Sequence, residues 1–338
     1  MGVAVGTTEP SASVTPARVT GLRPAATGYP GHGMSMNHDP SFPDLERSIL
    51  RTVAYSDVFD YPLSHAEVHR YLDATAAATG EVGEALHRLT GTDLCAADDW
   101  VALAGREDLF ALRQRRRRIA EDLWPAARRW ARTISRLPLV RMVSVTGALA
   151  VNNVDHDADV DYLIVTEPGR VWLCRTMVVQ IVRLARLGGV VICPNWLLAA
   201  DALTLADRSL FAARELSQMV PLTGLELYRR MRRLNPWAAV FLPNAAGPPC
   251  PVAEAAPPSK AWTGFTERML LGRTGAGAEV WMRRRKAREI LRANPETPEV
   301  VLDRHQCKGH VDAHGERIRR AYAERLSTLG LEPTDSAV

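Results

Sequence analysis

Four aspartates stand at alternate positions in the stretch VTGALAVNNVDHDADVDYLIV: Asp155, Asp157, Asp159 and Asp161. Like charges this close repel one another, so the pattern asks for a positive partner among them. In an extended strand successive side chains alternate faces, so Asp159 and Asp161 share one face while Val160 turns inward. Two carboxylates side by side after a Gly-containing turn suit a hard divalent cation, Mg2+ or Mn2+, which takes oxygen ligands and commonly arrives with substrate phosphates. Two such ions about 3.5–4 Å apart orient an in-line phosphoryl attack. A Ca2+ loop of the EF-hand kind also begins Asp-x-Asp-x-Asp, but counted from Asp155 its required Gly and Glu are Val160 and Thr166. The bland alternative is a solvated acidic turn; in the cation reading Asp155 and Asp157 are the loop's outer shell, solvated or holding the Asn pair in place.

The elements that must position these carboxylates lie on either side. LVRMVSVT reads as a strand before the acidic loop and VDYLIVT as a strand after it; a helix over 170–187, a third strand GVVICPNWLLA and a helix over 207–219 follow. Upstream, Arg106 to Leu137 reads as one long helix or two. Before that, Leu45, Ile49, Leu50 and Val53 make a helical face, and Ser64 caps a second helix carrying Val68, Tyr71 and Leu72. Thr79 and Glu81 open a third helix, with Val82, Leu86 and Leu89 inward, and DLCAADDWVALAG reads as a β-hairpin. Three short helices and a hairpin make a winged helix.

The chain therefore divides into a disordered segment 1–42 rich in Gly, Pro, Ala, Ser and Thr, a winged helix at 43–105, an α+β unit at 106–245, a Pro-rich linker at 246–260 and a helical region at 261–330. Composition is that of an ordinary globular protein: 338 residues, 46% hydrophobic and 24% charged, with a net charge of +4 that says little about partners. Three lysines stand against 39 arginines, a bias that reads as the mark of a GC-rich genome. Five scattered cysteines suggest no disulfide framework, no signal peptide is visible, and the greasiest stretch carries Arg175, Arg183 and Arg186. A soluble cytoplasmic protein without a membrane partner is the expectation.

Gly147, Ala148, a spacer of ten residues, then Asp159-Val160-Asp161-Tyr162 resembles the signature of the DNA polymerase β-like nucleotidyltransferase superfamily. TGALAVNNVDHDADVDYLIVTEPGRVWLCR is similar, more closely, to a family of nucleotidyltransferase-domain proteins. ICPNWLLAADAL, ARELSQMVPLTG, NPWAAVFLPNA and YSDVFDYPLSHAEVHRYL share that resemblance, which spans most of residues 44–330. It implies a mixed sheet flanked by helices, a nucleoside triphosphate (ATP or another) over the Gly147 turn, and Mg2+ or Mn2+ on Asp159 and Asp161. It also implies nucleotide contacts from Gly147, Ala148, Asn152, Asn153 and Arg175, and transfer of a nucleotide to an acceptor with release of pyrophosphate. Two departures stand out. Ala148 replaces the usual Ser, losing a hydrogen bond worth about 1.5–3 kcal/mol to a charged group. The later strand holds no third carboxylate to act as base; Asn195 is its only amide and Asp201 lies just past it. A catalytically weakened nucleotide-binding regulator, or a scaffold, is the rival expectation.

Other motifs carry less. The third helix bears Glu81 and Glu84 beside His87 and Arg88, unlike a helix meant for a phosphate-lined groove, so protein contact is expected there rather than DNA readout. Arg113 with Arg115 to Arg118, and Arg283 to Lys286 with Arg288, are the electrostatic candidates for a nucleic acid, but read first as solvated faces. His305, Cys307, His310 and His314 lack the paired Cys-x2-Cys usual in a structural zinc site. RTGAGAEV reads as a helix-breaking turn.

Overall fold

The computed structural model describes residues 44–156, 158–252, 260–293, 301–308 and 314–334. Segment 1–42, Asp157, most of the Pro-rich linker, His310 and the side chain of His314 lie outside the described residues.

The N-terminal unit runs α1 (Asp44–Asp57), β1 (Leu63–Ser64), α2 (His65–Arg70), α3 (Thr79–Leu89), β2 (Leu94–Ala97) and β3 (Trp100–Leu103). Ser64 caps α2 as its sequence promised: its hydroxyl accepts from Glu67 N–H, and the Glu67 carboxylate accepts from Ser64 N–H at 2.8 Å. The hairpin turns at Asp98, which has φ of 54°, and β1 joins it as an antiparallel sheet in the order β1-β3-β2. Ile49, Val53, Leu63, Val68, Leu86 and Val101 close its core.

The rest follows as α4 (Asp108–Ser135), β4 (Val140–Val145), α5 (Gly147–Ala150), β5 (Val160–Thr166), α6 (Val171–Leu187), β6 (Ile192–Ala199), α7 (Leu210–Gln218), β7 (Val220–Thr223), α8 (Leu225–Leu234) and α9 (Ala238–Phe241). Then come α10 (Lys260–Leu271), α11 (Arg273–Ala293), β8 (Val301–Leu302), β9 (Gln306–Lys308) and α12 (His314–Thr328). The class is α+β with mixed pairing. One six-stranded sheet has the order β7-β4-β5-β6-β9-β8; β5 and β6 are parallel, joined across α6, and the other pairs are antiparallel. Tyr162, Ile164 and Leu197 face a cluster with Ala127, Ala131 and Ile134 of α4 and Trp172 and Val178 of α6. Met142, Leu163, Val165 and Leu198 face the other way, against Ala213 and Leu216 of α7, Tyr228 of α8 and Phe241 of α9. Among the described residues no helix is long and apolar enough to cross a membrane.

Of the two alternatives for the long helix the single one holds, running through Pro125. Two expectations change. The helix break near RTGAGAEV lies at Gly272, and the motif itself is inside α11; a Cβ on Gly275 would collide with the Leu270 backbone, so the glycine lets α10 and α11 meet closely. The C-terminal region, expected to be helical, contributes two strands to the sheet. Asp303 makes their turn by accepting from His305 N–H and Gln306 N–H at 2.6 and 2.8 Å. The resulting hairpin covers what would otherwise be the open edge of β6. The same region docks onto α6, where the Glu279 carboxylate takes the backbone N–H groups of Trp172 and Leu173 at 2.9 and 2.8 Å.

The arginine run on α4 is not a uniform solvated face. Arg113 and Arg116 turn inward, while Arg115, Arg117 and Arg118 stay exposed. The Arg113 guanidinium lies 4.0 Å from the Tyr61 ring centroid, donates to both Glu67 oxygens and reaches the Val151 carbonyl at 3.0 Å. It joins the N-terminal unit to the loop that leads to the aspartates. Truncation in Arg113→Ala removes the cation paired with Glu67 and the bonds to the Val151 and Asn152 carbonyls, and we expect it to cost about 3 kcal/mol. Urea unfolding of the variant beside the native chain measures this, and an unchanged midpoint would mean that the joint is not structural.

Candidate functional site

β5 begins at Val160, so Asp159 and Asp161 fall on the face of Leu163 and Val165, the one covered by α7. Thr146, just past the end of β4, donates its N–H to the Asp161 carbonyl at 3.0 Å and so remains opposite it. The chain then turns at Gly147, whose φ is 64°, and a Cβ there would overlap the Asp161 carboxylate. Only glycine meets both demands without strain. Asn153 N–H closes the loop on the Ala148 carbonyl at 2.9 Å, with Asn152 at φ of 54°.

A third group comes from β6. Asp161 is registered with Cys193, and Leu163 with Trp196, so β6 spends three residues against two of β5. The extra residue is a bulge at Pro194 and Asn195, where proline has no N–H to give to the ladder. Ligand atoms of Asp159, Asp161 and Cys193 all lie within 4.8 Å of one another, each residue half-buried. The tentative third positions lie elsewhere: Asn195 sits in the bulge, and Asp201 follows the far end of β6, 3.5 Å from His305 Nδ1.

This face of the sheet is short of positive charge. Burial pushes the Asp161 carboxyl well above the usual carboxylate range, with Asp159 and then Glu215 of α7 adding to the rise. Burial also raises Asp159 and Glu215, and Lys308 of β9 partly offsets the latter. The Cys193 thiol is pushed far up by burial and by the two neighbouring carboxylates. Described ion pairs engage other acids, among them Arg116 with Asp155 and Arg141 with Glu167 and Glu267. None reaches Asp159, Asp161 or Glu215 among the described residues. On the same face the hydroxyls of Thr146 and Ser144, 5% and 0% exposed, have no hydrogen-bond partner among the described residues. Crowded acids, a thiol, an orphan hydroxyl and a backbone pressed against a carboxylate fit a divalent cation on Asp159 and Asp161.

The remaining expected site residues point to protein. Asn152 Oδ1 accepts from Trp124 Nε1 at 2.7 Å, and Asn153 donates to the Phe59 carbonyl at 3.2 Å and accepts from Arg116 at 3.3 Å. Asp155 takes a two-pronged bond from Arg116 at 3.0 Å on each oxygen. These side chains fasten the loop to α4 and the N-terminal unit. Arg175 lies beside Cys307, whose strand partner Leu197 is four residues past Cys193, about 13 Å along β6. His305 and Cys307 thus have separate neighbours. Cys193, Glu215 and Thr146 are the site residues that motif reading missed. The one sequence signal for Cys193 was its place beside the helix-incompatible Pro194 at the head of a strand; nothing local marked Glu215.

Because the folded protein binds a proton at Asp161 more tightly than the unfolded chain does, this carboxyl stabilises the metal-free fold only at low pH. That contribution falls away as pH rises above about 4. In chelator-treated protein Asp161→Asn should therefore melt several degrees above the native chain at neutral pH, with the gap closing toward pH 4. Calorimetry across that range checks it, and a variant that melts lower at neutral pH would refute the crowding argument. No family model matches the sequence, and neither a curated protein nor a solved structure matches the chain.

Proposed function

We propose that the protein is a metal-dependent nucleotidyltransferase of the polymerase β-like type, taking a nucleoside triphosphate and releasing pyrophosphate. The observation that carries this reading is the pair Asp159 and Asp161 at the head of a sheet strand, facing a glycine turn that no other residue could occupy without displacing Asp161. A divalent cation held there would neutralise phosphate charge and orient the reacting phosphoryl group. Gly147 keeps the backbone close to that position, and the buried Thr146 hydroxyl on the same face has no hydrogen-bond partner among the described residues. Glu215 is the carboxylate suited to take the acceptor's proton: it lies on this face, outside the three-ligand cluster, and burial moves its affinity toward neutrality. The order of helices and hairpin in the N-terminal unit supports a winged helix. The exposed Glu81 and Glu84 on α3 favour a protein partner there over DNA.

One observation favours the rival reading of a nucleotide-sensing regulator. The acidic loop is bolted to the N-terminal unit through Asn153, Asp155 and Arg116, so a ligand that moves the loop moves that unit as well. Thermal stabilisation by each nucleoside triphosphate, with and without Mg2+ or Mn2+, tests what both readings share. At 100 times its dissociation constant a ligand should add about 2.7 kcal/mol, and Asp159→Asn/Asp161→Asn should abolish the gain. No shift with any nucleotide would sink both readings; a shift without pyrophosphate release for any acceptor would leave the regulator.

A further inference from the structure

The cation site is not built from carboxylates alone. We propose that Cys193 is a third metal ligand, so that the site selects Mn2+, Co2+ or Zn2+ over Mg2+. This rests on the reading that Asp159 and Asp161 hold a cation, and it names which cation that is. Parallel register sets Cys193 beside Asp161, and the bulge that follows lets Trp196 and Leu198 return to the same face, so the thiol position is fixed by backbone geometry. Its sulfur and one oxygen from each aspartate fall within 4.8 Å of one another, a span that a single ion can bridge.

A buried cysteine ordinarily packs as a small hydrophobe. Cys174 and Cys307 do so, in the cluster between the sheet, α4 and α6. Cys193 instead stands between two carboxylates, where one weak S–H donor cannot satisfy several oxygen lone pairs. The second, independent sign of a ligand is Thr146. It is 5% exposed, it lies opposite Asp161 on the same face, and its hydroxyl has no partner among the described residues. Ser144 repeats this one step deeper on β4. Two aspartate oxygens and a thiolate form a mixed donor set, with the unpartnered Thr146 hydroxyl across the ladder from Asp161. Mg2+ demands oxygen and discriminates against sulfur, whereas Mn2+, Co2+ and Zn2+ accept a thiolate. As the metal–sulfur bond forms, the S–H proton passes to solvent.

Cobalt reports the bond directly. The full-length, chelator-stripped protein titrated with Co2+ should develop a thiolate-to-cobalt charge-transfer band in the near ultraviolet at one equivalent. Cys193→Ser should lose that band yet still bind Co2+, and Cys174→Ser should keep it. Competition titrations add a readout free of colour: Mn2+ should outcompete Mg2+ in the native chain, and Cys193→Asp should shift that ratio at least about tenfold toward Mg2+. Stoichiometric Co2+ binding without the band, or a band that survives Cys193→Ser, overturns Cys193 as a ligand and leaves the carboxylate site intact. Binding of none of the four ions overturns both this inference and the catalytic reading. Should Cys193→Ser misfold, the band in the native protein and the Cys193→Asp ratio still decide.

Discussion

Repulsion among Asp159, Asp161 and Glu215 is the constraint around which the sheet is arranged. Three carboxyls share one half-buried face, each driven toward its protonated form by burial or by its neighbours. A fold tolerates such crowding only where its framework is stable without it, because every charge left unpaired in a poorly solvated place subtracts from folding. The framework here is the β4–β5 ladder, whose Val143, Val145, Tyr162 and Ile164 are fully buried on the opposite face. Asp159 and Asp161 sit at the head of β5 and not in its middle, and both stay half-buried.

Helix α7 ties the head of β5 to the N-terminal unit. Adjacent residues on it face opposite partners. Glu215 acts on Asp161, while Arg214 lies fully buried with its guanidinium 4.6 Å from the Tyr55 ring centroid and 5.1 Å from that of Tyr71. Arg214 also donates to the Tyr71 carbonyl at 3.1 Å, and α12 closes the cage through Tyr322, which meets Tyr55 edge to face. Any change in charge at the aspartates is therefore felt by a helix whose other side is locked into α1 and α12. Two discrete arrangements of that helix would couple the site to the N-terminal unit; a single rigid one would simply hold Glu215 at its post.

Local chemistry was legible in the sequence, and pairing was not. The Ser64 cap, the Asp98 turn, the glycine at 147 and the alternation of Asp159 with Asp161 each depend on a few neighbouring residues, and each stands where reading the chain put it. Cys193 depends on how β6 is registered against a strand thirty residues earlier, and a bulge at Pro194 shifts the parity that simple alternation would give to Asn195. Glu215 depends on which face α7 presents to the sheet. The strands β8 and β9 are two and three residues long, too short for any periodicity to show, and they exist because β6 had an edge to cover.

The arginine bias also acquires a physical role that composition alone did not disclose. Arg113, Arg116 and Arg214 are buried, and Arg141 lies between Glu167 and Glu267. Arg113, Arg116 and Arg141 each serve several acceptors at once: Arg116 alone reaches Asp155, Asn153 and the carbonyls of Phe59 and Asp60. Lysine offers a single charged nitrogen and could not bridge such spread-out partners in a fixed plane. The geometry of these joints explains why lysine would fail in them. The acidic loop is thus held by arginines from behind, through Asp155 and the Asn pair, which leaves Asp159 and Asp161 without one in front. That division leaves Asp159 and Asp161 without a cationic partner among the described residues, so in the metal-free fold burial drives both toward their protonated form.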